Sequence, residues 1–225
     1  MAASGRVSEM GKYQNGIETQ EKILEACRKF FYEKGYDKTT FADISRATGI
    51  NQSAIHYHFK SKEKLLQLIY IESVKKNNDL VEFYSDRSTG ALAKFFFGGE
   101  LFLYKAVRDE KFRRFYLDAT RLLRTDISTF VFAQSSVLEY LKFDMRSGDE
   151  DWKFDLMVCA SLDQVVLYYV DSNEGNVDME GLLKKVENAY RKILSISDED
   201  FREAKEQMAI LEDRCKWDEI DSALC

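Results

Sequence analysis

Proline is missing from all 225 residues, and the chain has only 11 glycines, 4 cysteines and 2 histidines. Without proline, and with so few glycines, long helices meet few breakers. The four cysteines, Cys27, Cys159, Cys215 and Cys225, lie far apart and form no close pair. Residues 1–22 are polar and lack the apolar core of a secretory signal, so free thiols in a reducing cytosol are expected. No apolar run approaches the roughly 20 residues that cross a bilayer, so no membrane partner is expected and the location should be cytoplasmic. No glycine-rich phosphate loop and no nucleophile motif can be found, and no histidine follows His58. An enzyme is therefore the weakest functional class, and no cofactor or metal is expected.

What is present is unevenly charged. Residues 1–78 hold 13 Lys and Arg against 9 Asp and Glu, and residues 79–225 hold 20 against 30, within an overall charge of −6. A basic front on an acidic body suggests a polyanion-binding module joined to something else. Hydrophobic residues make up 45%, enough for a sizeable core.

Residues 1–16 are small and polar and predict a mobile arm. From Thr19 to Lys34, Ile23, Leu24, Cys27, Phe30 and Phe31 recur at helical spacing, and Gly35 stops the run. Thr40 followed by Asp43 is a capping-box start for a short helix that Gly49 ends. Asn51 can cap a second short helix, Gln52 to about Phe59, and Ser61 a third from Lys62. Two short helices around a glycine turn make a helix-turn-helix. Beyond Lys62 the pattern is helical, with breaks expected at 85–90, around Gly98-Gly99, near Asp109, at 124–126, 146–151, 171–176 and 195–198. The fold class is all-α.

Both histidines fall in Ile55-His56-Tyr57-His58-Phe59. Positions i and i+2 of a helix point about 200° apart, so His56 and His58 cannot pinch one metal ion, and no cysteine or carboxylate stands nearby at ligand spacing. Acid/base chemistry lacks a partner and a pocket there. Contact remains. Ile55 and Phe59 face inward, leaving Gln52, Ser53, Ala54, His56 and Tyr57 outward. Gln52 can read adenine in bidentate fashion, and Ser53, His56 and Tyr57 supply donors, acceptors and flat faces. Lys60, Lys62 and Lys64 supply phosphate charge. His58 is expected to be partly structural.

The stretch Thr39–Leu66, TTFADISRATGINQSAIHYHFKSKEKLL, resembles the DNA-binding signature of the tetracycline-repressor (TetR) family of bacterial regulators. The matching residues are Thr39-Thr40, Ile44-Ser45, Thr48-Gly49-Ile50-Asn51, His58-Phe59, and Lys62 with Leu65. The chain departs at His56, where the family usually places a tyrosine that contacts the DNA backbone. The resemblance implies phosphate contacts from Thr40 and Lys62, and base or flanking-phosphate contacts from Gln52, Ser53 and Tyr57. It implies a three-helix head (17–62) and a ligand-binding and dimerisation domain (63–225). It also implies a homodimer on a palindromic duplex operator, and a small-molecule effector that moves the two heads apart. Most members repress transcription.

The second domain is read more coarsely. The runs Trp152–Val170 and Met179–Leu194 are its strongest late helices. The stripe Leu182, Leu183, Val186, Ala189, Tyr190 and Ile193 fits either the monomer core or a dimer seam, and the resemblance favours the seam. Asp163 and Gln164 interrupt an apolar helix and need partners: a structural hydrogen bond, Arg121 or Arg124, or a ligand. Aromatic density between Ala91 and Tyr116 suggests core with some residues on a cavity. Pocket candidates are Phe96, Phe102, Phe115, Tyr116, Arg121, Gln164 and Tyr168. Gly98-Gly99 should break or kink its helix. A hydrophobic or aromatic effector that releases DNA is expected. The alternative is a fold-sharing interaction module or activator that binds a protein partner, which loss of basic residues around the reading helix would mark. Lys60, Lys62 and Lys64 remain.

Overall fold

The computed structural model describes residues 2–123 and 151–220. These residues form nine α-helices and a short 3-10 turn, with no strand among them. The helices are α1 (Ala2–Lys34), α2 (Phe41–Thr48), α3 (Gln52–His58), α4 (Lys62–Tyr84), α5 (Ala91–Arg108), α6 (Glu110–Leu123), α7 (Asp151–Ser172), α8 (Met179–Ile193) and α9 (Asp198–Arg214). The expected breaks at 124–126 and 146–151, together with Arg124 and Cys225, lie outside the described residues. No described helix is long and apolar enough to cross a membrane.

The chain divides into two compact units, Met1–Ile69 and Tyr70–Cys225. The division falls inside α4, seven residues beyond the expected boundary at Lys62. In the first unit Ile23, Cys27 and Phe31 of α1, Ile44 of α2, Ile55 of α3, and Leu65 and Leu66 of α4 are fully buried. Gly35 takes φ 87° and closes α1 with its N–H on the Phe31 carbonyl at 3.1 Å. One expectation is corrected here. Helix α1 starts at Ala2, so residues 2–16 are helical where an arm was expected. Three glycines in that stretch each cost about 1 kcal/mol against alanine, yet no proline interrupts propagation from the anchored part.

In the second unit α5 is central, packing against α6, α7, α8 and α9. Its Phe97 and Leu101 are fully buried. Gly98-Gly99 is not a break, because α5 runs through it. A Cβ on Gly98 would lie 3.3 Å from Val81 Cγ2 and 3.4 Å from Asn77 Nδ2. Its glycine therefore serves the close approach of α4 and α5, not termination. The described cysteines Cys27, Cys159 and Cys215 are buried free thiols. Burial pushes each thiol up, Cys27 and Cys159 to about 12.

Candidate nucleic-acid interface and cavity

The first unit presents α3 through a series of local caps. The Asp43 N–H donates to Thr40 Oγ1 at 3.2 Å, and the Thr40 N–H donates to Asp43 Oδ2 at 3.1 Å. These bonds to Thr40, aided by Lys34 at 3.6 Å, hold the Asp43 carboxyl below its ordinary range. Gly49 at φ 71° ends α2, with its N–H on the Ser45 carbonyl at 2.9 Å. Asn51 Oδ1 then accepts the Ala54 N–H at 2.8 Å and starts α3. Ile55 and Phe59 anchor α3 from below.

On the other side, Gln52, Ser53, His56, Tyr57 and Lys60 are exposed, while Ala54 and His58 are half-buried. Tyr57 is 86% exposed, more than any other large hydrophobic residue described. An aromatic ring held that far into solvent adds little to the core. His56 lies against Phe41 of α2, ring centroids 4.3 Å apart, a support that sequence reasoning missed. His58 Nδ1 sits 3.5 Å from Gln20 Nε2 of α1, in the partly structural place expected.

Two expected phosphate ligands are otherwise engaged. The Thr40 hydroxyl, besides accepting from Asp43, donates to Asp43 Oδ2 at 2.9 Å. The Lys62 ammonium donates to the carbonyls of Tyr36 at 2.8 Å and Thr39 at 3.0 Å, and stands 4.0 Å from the Tyr36 ring centroid. Lys62 is a clamp on the α1–α2 turn. Sequence spacing could place it beside the reading helix but could not show carbonyls converging on its ammonium. Exposed Lys60, Lys64 and Arg46 stand around α2 and α3, with Lys64 donating to Gln67 Oε1 at 2.7 Å and Arg46 lying 3.5 Å from Asp43 Oδ1.

The second unit contains a cavity of about 150 Å³, a volume that holds a single aromatic ring. Of the pocket candidates, Phe96, Phe102 and Tyr116 line it. Phe115 is buried outside it, Tyr168 is 46% exposed, and neither Gln164 nor Arg121 reaches it. Arg121 pairs instead with Asp118 at 3.3 Å. Lining residues that sequence reasoning missed include Tyr70, Val74 and Asn77 of α4, Lys94 and Glu100 of α5, and Glu187 of α8. Asn77 interrupts an otherwise apolar face of α4, which was a usable signal. Asp163 also lines the cavity and accepts the Tyr190 hydroxyl, the structural hydrogen bond expected of it. Burial and the Asp163 charge raise the Tyr190 phenol well above its ordinary value. Burial pushes Tyr116 up to about 12.

The members of the expected dimer stripe sit as follows in the second unit. Leu183, Val186 and Tyr190 line the cavity, and Leu182 packs with Leu103, Val166 and Val170. Ala189 and Ile193, the stripe's other members, are half-buried. Leu183 and Val186 are half-buried as well, and α5 and α7 pack against α8. Five of the exposed apolar side chains lie on α7: Phe154, Met157, Val165, Tyr168 and Tyr169. Their spacing puts them along one side of that helix.

Comparison with known proteins follows the same division. Residues 23–69 match the family model described as bacterial regulatory proteins, tetR family. Over 62 residues the chain is 37% identical to the HTH-type transcriptional regulator TtgR of Pseudomonas putida, covering 28% of this chain and 29% of that protein. Over 56 residues it is 41% identical to IcaR of Staphylococcus aureus, a negative transcriptional regulator of the biofilm operon icaADBC, covering 25% and 28%. The chain thus spans under a third of the length of these curated relatives. Two solved structures share the fold over most of the chain. RolR in complex with resorcinol matches at TM-score 0.54 and 14% identity, covering 88% of this chain and 96% of that one. Full-length tylp, a tetr regulator from Streptomyces fradiae, matches at TM-score 0.50 and 16% identity, covering 90% and 92%.

Proposed function

We propose that this chain, whose residues 23–69 belong to the tetR family of bacterial regulatory proteins, is a DNA-binding transcriptional regulator of the bacterial cytoplasm. It is a repressor released from its operator by a small hydrophobic or aromatic effector. The observation that carries the reading is α3, a two-turn helix fixed by caps at its start and by Ile55 below, with Gln52, Ser53, His56 and Tyr57 left in solvent. These side chains have the donors, acceptors and faces that read base edges in a major groove. Exposed Lys60, Lys64 and Arg46 supply the phosphate term.

The effector site is the cavity of the second unit, whose aromatic walls bury ligand surface at about 25 cal/mol per Å². Helix α4 contributes Leu65 and Leu66 to the head's core and Tyr70, Val74 and Asn77 to the cavity. It is the continuous segment through which occupancy can alter the head. Release of DNA requires the effector to favour a conformation with mis-spaced heads, since equal affinity for both states shifts nothing. The regulator acts as a homodimer joined through the exposed apolar side of α7, on a palindromic site whose half-sites lie about one helical turn or a little more apart. Selection of bound sequences from random duplex DNA tests the reading. A palindromic consensus is expected, and recovery of no consensus from a monomeric protein would refute it.

A further inference from the structure

We propose that the cavity selects a primary organic ammonium carried on a single aromatic ring, seated with its N–H groups on Glu100. The inference rests on reading the cavity as the effector site, and it narrows that reading from an apolar molecule to a charged class.

Two acceptors in the lining have no donor. Asn77 Oδ1 and Glu100 Oε2 are both buried without a hydrogen-bond partner among protein atoms. Asn77 spends its own amide nitrogen on the Gly98 carbonyl at 3.2 Å, which fixes the group with its oxygen as the open end. A buried acceptor costs free energy until a donor meets it. An alkylammonium brings three N–H donors and no acceptor, so it suits the open Glu100 oxygen. A hydroxyl brings one donor, and a carboxylate ligand brings none.

The charges favour the same head. Glu100, Asp163 and Glu187 line the cavity against one lysine, Lys94. Lys94 is held by both oxygens of Glu82 at 2.9 Å. The groups bearing on Glu100 are Glu187 of α8, Glu212 and Lys205 of α9, and Cys215 beyond it. Lys205 is bonded to Glu187 at 2.8 Å, and Asn77 of α4 contributes only a dipole. The sum around Glu100 is negative. Among the described residues no group of three or more His, Cys, Asp and Glu could hold a metal ion. Its body fits among Phe95, Phe96, Phe102 and Tyr116, with room for one ring.

Burial, reinforced by Glu212, raises the Glu100 carboxyl to about 8. At neutral pH the acid form predominates. An entering ammonium displaces that proton, forming an ion pair and releasing one proton to solvent. Affinity should therefore tighten as pH rises toward 8 and level off above it, by up to about tenfold per pH unit on the rising limb.

The test is calorimetric titration of the full chain, without DNA, with three probes of one shape: 2-phenylethylammonium, 2-phenylethanol and phenylacetate. At pH 8 the ammonium is expected to bind at least about tenfold more tightly than either other probe, with the margin shrinking at pH 6. Glu100→Gln should abolish the ammonium preference and its pH slope while keeping the alcohol's affinity. Equal binding of ammonium and alcohol at pH 8, tighter binding of the carboxylate, or an ammonium preference unchanged in Glu100→Gln would overturn the proposal. If a variant fails to fold, the three-probe pH series on the unaltered chain decides alone. Operator release is scored separately. An ammonium that binds preferentially but leaves DNA bound sinks the effector reading and retains the ligand class.

Discussion

Replacing Lys62 by methionine should destabilise the first unit, not merely remove one phosphate contact. The ammonium donates to two carbonyls, Tyr36 at 2.8 Å and Thr39 at 3.0 Å, and charge-assisted bonds contribute about 1.5–3 kcal/mol each. The Tyr36 ring, 4.0 Å away, adds about 0.5–1 kcal/mol. Part of this is returned, because Lys62 is only half-buried and the Tyr36 carbonyl keeps the Thr39 N–H at 3.1 Å. A net loss of about 2–4 kcal/mol is expected. That raises the population of the opened head on the order of thirty- to several-hundredfold.

Amide hydrogen exchange over α1–α3 in the full chain, paired with salt titration of DNA binding, separates the two roles. Lys62→Met should accelerate exchange throughout α1–α3 and weaken binding to specific and random DNA alike. Lys60→Ala, at an exposed residue, should leave exchange unchanged and lower the salt slope by about one. Unchanged exchange in Lys62→Met, with a salt slope reduced by one, would return Lys62 to the phosphate and refute the clamp.

Gln52→Ala should relax base preference at one position and cost about 1–3 kcal/mol on the preferred site, with random DNA unaffected, read by fluorescence anisotropy on both duplexes. Gly175→Ala should destabilise the second unit by about 2 kcal/mol or more in thermal unfolding. Gly175 has φ 78°, and a Cβ there would stand 2.4 Å from the Val107 carbonyl oxygen. Val165→Glu on the exposed side of α7 should weaken self-association by at least about a hundredfold, since each dimer carries the change twice and each buried carboxylate costs several kcal/mol. Analytical ultracentrifugation checks it against Ala189→Glu on α8, expected to leave association intact; the reverse result would move the interface back to α8.

The head was legible in the sequence because its signals are local. Thr40 with Asp43, Gly49 and Asn51 each act within four residues, and each fixes an end of a helix whatever lies beyond it. Ile55 and Phe59 followed from the same register. The carbonyl contacts of Lys62 were not legible for the opposite reason: the two partners lie 26 and 23 residues back, and only the fold brings them to its ammonium. Gly98-Gly99 misled as a break because a glycine's penalty of about 1 kcal/mol in a helix is local, whereas the compensating approach of Val81 and Asn77 is tertiary.

The apolar surfaces of α7 and α8 have a sharper lesson. An apolar stripe requires that something cover it and says nothing about which element does. Helix α8 has one such stripe, which α5 and α7 occupy. Helix α7 is apolar on two sides. Cys159, Val166, Leu167 and Val170 are buried, while Phe154, Met157, Val165, Tyr168 and Tyr169 face out. A helix apolar nearly all round needs two coverings, and a large apolar patch left in water marks an interaction site. Trp152–Val170 was readable in those terms from the start, since its apolar residues exceed what one inward stripe can use. The helix with surplus apolar surface, and not the one with the cleanest stripe, is where a second copy is expected to dock.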